Sequence, residues 1–241
     1  MLSLFSSVGK ASLLALAAAT ASAILFLSVP RTASAFLTIS GDKVLSLIRT
    51  GRDVTSEQLD QLENSRKEAL KWICNGRAYH DLSVVQSIRR GILNADLYPL
   101  VDNQSLSFAR SSLIQSPANG RVWLRLAGAE FHLHGDTKLL SDALTTSLLT
   151  APVLPLRTLY RIELALASSG FEQSADRNLI FRQMRIAWKV STAKTVAFSA
   201  MSARRTALFR AALASDPSAY ERFNLMLNQY FDGRQTKPSA S

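Results

Sequence analysis

Residues 11–29 read ASLLALAAATASAILFLSV, nineteen positions without an Asp, Glu, Lys, Arg or His. At about 1.5 Å of rise per helical residue the stretch spans roughly 28 Å, close to the hydrocarbon thickness of a bilayer. Lys10 precedes it and Arg31 follows it. It is apolar on every face and lies near the chain start, which argues against a buried core helix. The expectation is a signal anchor over residues 1–35, with the remainder outside the cytoplasm. Two other readings stay open. Ala33-Ser34-Ala35 fits a small-x-small cleavage site with Phe36 as the new N-terminus, although the apolar run exceeds the roughly 7–15 residues usual for a cleaved signal. An inverted topology is the third, because Lys10 on one side and Arg31 and Lys43 on the other give little positive-inside bias.

About 200 residues follow the anchor, enough for one substantial core. The single cysteine, Cys74, excludes an intramolecular disulfide. It falls in Trp72-Ile73-Cys74 and is expected to be a small buried hydrophobe on a helix. The net charge of +10 is uneven: residues 171–241 hold 11 Lys or Arg against 5 Asp or Glu. That excess points to an anionic partner or surface. Nucleic acid is disfavoured for an exported domain.

The spacing downstream predicts an all-α chain. Phe36–Gly51 reads as a helical connector, with 36–54 as the linking segment. Thr55-Ser56-Glu57-Gln58 is a capping box opening a helix over 56–75, with Leu59, Leu62, Arg66, Ala69 and Ile73 at helical spacing. A second helix is expected over 81–97, starting at Asp81 and stopping before Pro99. Others are expected over 104–115, 119–134, 138–150, 156–168, 175–191, 193–213 (with a break) and 217–231. Residues 232–241 read as a disordered tail. The domain proper is thus 55–231.

Leu113, Pro117 and Gly135 recur 35 residues on as Leu148, Pro152 and Gly170, which suggests stacked helical hairpins of an α-solenoid kind. Trp123, Leu126 and Ala127 match the opening of a tetratricopeptide repeat, and Pro152 falls near its expected end. Glu130 stands where that repeat usually has an aromatic, and Leu139 where it has a small residue. Residues 113–152 therefore resemble a degenerate tetratricopeptide unit. The connector ISGDKVLSLIRTGRDVT (39–55), SPANGRVWLRLA (116–127) and RQMRIAW (182–188) resemble a group of proteobacterial single-pass proteins associated with exopolysaccharide or O-antigen biosynthesis. The resemblance implies a helical accessory factor of envelope polysaccharide assembly, not an enzyme. Taken with the anchor, the expectation is a non-catalytic inner-membrane protein with a periplasmic domain, working with protein partners of polysaccharide assembly and without a cofactor.

Candidate chemistry is sparse. Phe181, Met184 and Trp188 form an apolar row, and Arg182, Arg185 and Lys189 a cationic row beside it. Arg182, Arg185, Lys189 and Trp188 are the candidate binding residues, suited to an acidic glycan, anionic lipid or protein partner; the alternative is a core helix with a solvated basic edge. His132 and His134 project about 200° apart on a helix and do not make a metal site. Glu130 and Glu163 lie in apolar runs, so one alternative function is a glycan-acting enzyme using a buried carboxylate; pairing with Arg125 or Arg161 is the structural reading. A cytoplasm-facing regulator binding lipid or nucleic acid is the other alternative. Gly128 is expected to permit a close approach between helices.

Overall fold

The computed structural model describes residues 2–169 and 177–235. Among these the chain is all helical. Helix α1 is Leu2–Arg49, α2 Ser56–Trp72, α3 Gly76–Arg90, α4 Tyr98–Gln115, α5 Gly120–His134, α6 Lys138–Thr150 and α7 Thr158–Ala167. From residue 177 follow α8 Arg177–Val190, α9 Thr192–Ser199, α10 Ala203–Leu213 and α11 Pro217–Gln235.

The apolar stretch and the connector prove to be one element. Helix α1 runs 48 residues with Pro30 inside it. Its leucines at 13, 14, 16, 25 and 27 are exposed, while Val44 and Leu45 near its end are buried. One element therefore joins an exposed apolar stretch to an end that packs in the domain. Of the described helices, α1 is the one long and apolar enough to cross a membrane. Gly51, at φ 72°, then turns the chain in the left-handed region that a side chain resists.

Sequence and structure agree on the start of α2. The Thr55 side chain accepts from the Gln58 N–H and the Gln58 side chain accepts from the Thr55 N–H, closing the capping box. They differ at α3, which begins at Gly76 and is capped by Asn75, whose side chain accepts from Arg77 N–H. Asp81 is not a cap; it lies inside the helix and is 1% exposed. Pro99 does not end a helix either. It sits in the first turn of α4, where its missing N–H would have had no partner. The break expected within 193–213 falls between Ser199 and Ala203. Helix α11 extends to Gln235, past the expected limit of 231. Gly170, the last position of the 35-residue repeat, lies outside the described residues.

Consecutive helices pack as hairpins, α1 on α2, α3 on α4 and α5 on α6, and each hairpin also touches the next. The sequence repeat becomes a repeated contact. Ser112 in SLIQSP (112–117) donates to the Gly76 carbonyl at 2.7 Å, and Ser147 in SLLTAP (147–152) donates to the Gly120 carbonyl at 2.6 Å. Each bond ties the end of one helix to the start of its partner. Leu113 and Leu148 beside these serines are buried. Gly128 meets α7 closely, since an added Cβ would lie 3.2 Å from the Tyr160 ring carbon Cζ. The partner in that approach is a side chain, not a helix backbone.

Two apolar clusters result. The smaller joins α1, α2 and α3 through Val44, Leu45, Leu59, Leu62 and Val85. The larger runs from Leu106 in α4 to Leu227 in α11, around Trp188, Phe209 and Phe223.

Candidate functional site

A buried polar contact joins the C-terminal part of α1 to the domain. Arg66 in α2 is 1% exposed. Its Nε donates to Asp81 Oδ2 in α3 at 2.8 Å, its Nη2 to Asp42 Oδ1 in α1 at 2.5 Å, and its Nη1 to the Thr38 carbonyl in α1 at 2.9 Å. One planar guanidinium thus fixes three helices, a task its rigid fork of donors suits better than a lysine ammonium. Gly41 permits the approach: an added Cβ would lie 2.9 Å from Leu62 Cδ1 and would collide with the Ser65 hydroxyl. Burial raises the Asp81 pKa, but His80, with Nδ1 3.6 Å from Oδ1, and Arg66 outweigh it, so the carboxyl titrates below its ordinary value.

Beside this clamp opens a cleft of about 530 Å³. Arg31, Ser34 and Thr38 of α1 form one wall, Cys74 and Arg77 another, and Gln115 and Ser116 at the end of α4 a third. Cys74 corrects the sequence expectation. It is exposed, in the loop between α2 and α3, because α2 ends at Trp72.

The residues singled out in the sequence separate in space. Met184 and Trp188 of α8 enter the core, where Trp188 meets Phe223 edge-on at 5.8 Å between ring centroids. Arg182 and Lys189 are exposed. Arg185 is half-buried and donates to the Ala212 carbonyl at 3.2 Å, a cation near the end of α10 where the helix dipole favours it. The basic row is therefore two exposed cations, of which Lys189 lies in the field of Asp216, and one structural one, and Trp188 is a packing residue.

Glu130 is buried, but its partners are Thr137 Oγ1 at 3.0 Å and His134 Nδ1 at 3.2 Å, not an arginine. Glu163 is half-exposed, with Arg205 at 3.7 Å. Arg161, 1% exposed, instead closes the end of α6, donating to the carbonyls of Ala151 and Ser147, both at 2.7 Å. Burial lowers its pKa to about 10. Burial and then the nearby Arg157 charge lower Arg125 equally, to about 10. Among the described residues no three His, Cys, Asp or Glu gather closely enough to hold a metal ion.

In the sequence Arg66 is a basic residue on an apolar helical face, and its partners are distant. Asp42 and Asp81 are 24 and 15 residues away. The available signal was the coincidence of a buried-register arginine with two acids beyond helix boundaries. No protein-family model matches the chain, and no curated protein matches it.

Proposed function

We propose that this chain is a non-catalytic scaffold of the bacterial inner membrane, with a tetratricopeptide-like stack of hairpins on its periplasmic side, serving an assembly complex for surface polysaccharide. The observation that carries the scaffold reading is the Arg66 clamp. Helix α1 passes without a break from its apolar stretch into the domain, and Arg66 fixes it there through Thr38 and Asp42. A domain joined this way is held at a fixed height and orientation over the bilayer. Confinement raises its effective concentration toward other membrane proteins. The polysaccharide assignment rests on the resemblance of residues 39–55, 116–127 and 182–188. The exposed pair Arg182 and Lys189 is the docking element of this reading.

Cross-linking and affinity purification of the full chain from membranes test it, with a phosphatase fused after Ser241 to report the side of the membrane. Arg182→Glu with Lys189→Glu should reduce recovered polysaccharide-assembly proteins several-fold without changing the melting transition. Arg185 is left intact because it bonds to α10. Unchanged recovery, or an inactive fusion of normal abundance, would overturn the reading.

A further inference from the structure

We propose that the edge of the domain from which α1 emerges is a second membrane contact, resting on anionic phospholipid headgroups. The inference depends on α1 spanning the bilayer. Four observations converge on this edge.

The first is position. The cleft places Arg31, two residues past the apolar stretch, beside the turn between α2 and α3 and the end of α4. The bonds from Ser112 to Gly76 and from Ser147 to Gly120 carry the same edge onward through the α4–α5 and α6–α7 turns. Gly120 lies against that last turn, since an added Cβ would fall 2.5 Å from Ala151 Cβ.

The second is apolar exposure. Trp72 is 52% exposed, Ile114 79%, Leu149 63% and Leu156 87%. They end α2, α4 and α6 and open the approach to α7. Ile114 and Leu149 hold the same position in SLIQSP and SLLTAP, so the exposure repeats with the hairpins. Scattered apolar residues need no explanation, whereas a row of them along one edge marks a contact.

The third is charge. Segments 69–80, 110–125 and 143–162, which build this edge together with α1, contain no Asp or Glu and seven Lys or Arg; the carboxylate that α1 adds to the cleft, Asp42, is held by Arg66 and faces Arg77 at 3.6 Å. Segments 50–63, 89–103 and 130–142, which build the opposite edge, contain nine Asp or Glu and four Lys or Arg. The domain is therefore polarised along its helices, positive end toward the exit of α1. The opposite edge also exposes Ile92, Leu97 and Leu100, but in a single turn that carries Asp96.

The fourth is the arrangement of the cations. Arg77, Arg121 and Arg157 are exposed, one near the start of each of α3, α5 and α7. Each turn of the edge thus pairs an apolar side chain with an arginine, the combination that enters the headgroup layer: the apolar group partitions inward and the guanidinium bonds to phosphate. Peptide or glycan partners would explain the arginines but not their sharing an edge with the exit of α1.

The native Cys74, exposed on this edge, is the reporter. The full chain is reconstituted in nanodiscs of phosphatidylglycerol and phosphatidylcholine in equal amounts, with a nitroxide on Cys74. Collisions with membrane-soluble oxygen are compared with collisions with a water-soluble nickel chelate. Cys74→Ser with Asp53→Cys places the label on the opposite edge as control. The oxygen-to-nickel ratio at Cys74 should exceed the control several-fold. It should fall toward the control in Ile114→Asp with Leu156→Asp, and in discs of phosphatidylcholine alone. A Cys74 ratio equal to the control in both lipids would overturn the proposal, while resistance to alkaline carbonate extraction would show that the anchor reading survives. A label shielded from both reagents alike would assign the edge to a protein contact and overturn it as well. Extraction of the chain by carbonate would remove the anchor reading and this one together.

Discussion

The two ends of the domain are held by different chemistry. Where α1 meets α2 and α3, the apolar cluster is small and a buried arginine with two aspartates joins the helices. From α4 onward one large apolar cluster runs through the helices, with Trp188, Phe209 and Phe223 in ring contact, and the buried Arg161 there bonds to the end of a helix, not to a carboxylate. The reason lies in α1. Its contact face offers small and polar residues, Ser34, Thr38, Gly41 and Asp42, before Val44 and Leu45. Such a face buries too little area to fix one register by the hydrophobic effect. Directed bonds from a planar cation specify the register instead, at the desolvation cost that buried charges carry.

The largest effect should come from breaking that arrangement. Arg66→Ala strands Asp81 in the interior and should cost about 4 kcal/mol, as for removal of one partner from a buried pair. Denaturant unfolding measures the loss, and trypsin cleavage at Lys43 should accelerate as α1 loosens. A loss under about 1 kcal/mol would show that the apolar cluster suffices, since surface changes stay within about half of that. At the other end, Phe223→Ala should cost about 3 kcal/mol through the cavity it leaves, read in the same unfolding experiment. Cleavage at Lys43 should stay slow, because the two clusters are distinct. Equal acceleration by both variants would mean that the domain loosens as one unit.

The acid limb of the stability profile sharpens the comparison. The folded Asp81 pKa lies below its ordinary value, so the carboxylate contributes fully above the unfolded value of about 3.9. That contribution disappears as the pH falls through the folded value. Between pH 7 and about pH 5 the clamp should therefore hold. Acidification below that range should raise cleavage near α1 before the aromatic end melts, as followed by a short protease pulse and near-ultraviolet dichroism. Asp81→Asn should remove the early step.

Local signals were legible in the sequence and distant partners were not. The capping box at Thr55–Gln58 named the start of α2 because each of its partners lies within three residues. The apolar length of residues 11–29 and the 35-residue recurrence were equally direct. Asp81 has the local properties of a cap, an aspartate before an apolar run, yet lies inside α3. Only the arginine on the preceding helix shows that it is internal. Asn75-Gly76-Arg77 and Asn119-Gly120-Arg121 repeat the same cap and helix start, a signal present in the chain but separated by 44 residues rather than 35. Cys74 follows a helical pattern in the sequence but lies past the end of α2, which stops three residues before the expected limit of 75. The basic row on α8 was legible as a pattern; its division into two exposed cations and one bonded to α10 depends on where the chain returns.

The smallest effects test whether the hairpins are true repeats or merely similar. Ser112 and Ser147 make the same bond to the start of a neighbouring helix, but only Ser147 also accepts from Arg161, at 2.8 Å to Nη2. Ser112→Ala leaves one carbonyl without its donor and should cost about 1 kcal/mol. Ser147→Ala removes that donor and also an acceptor for a buried guanidinium, and bonds to charged groups are worth more, so about 2 kcal/mol is expected. The Ser147 carbonyl still receives Arg161 in the variant, which keeps the loss from growing further. Chemical denaturation of the two variants side by side gives the ordering. Equal losses would mean that the Arg161 bond to the hydroxyl adds nothing to the carbonyl bonds. A larger loss in Ser112→Ala would place the weaker hairpin next to α1 rather than in the middle of the domain.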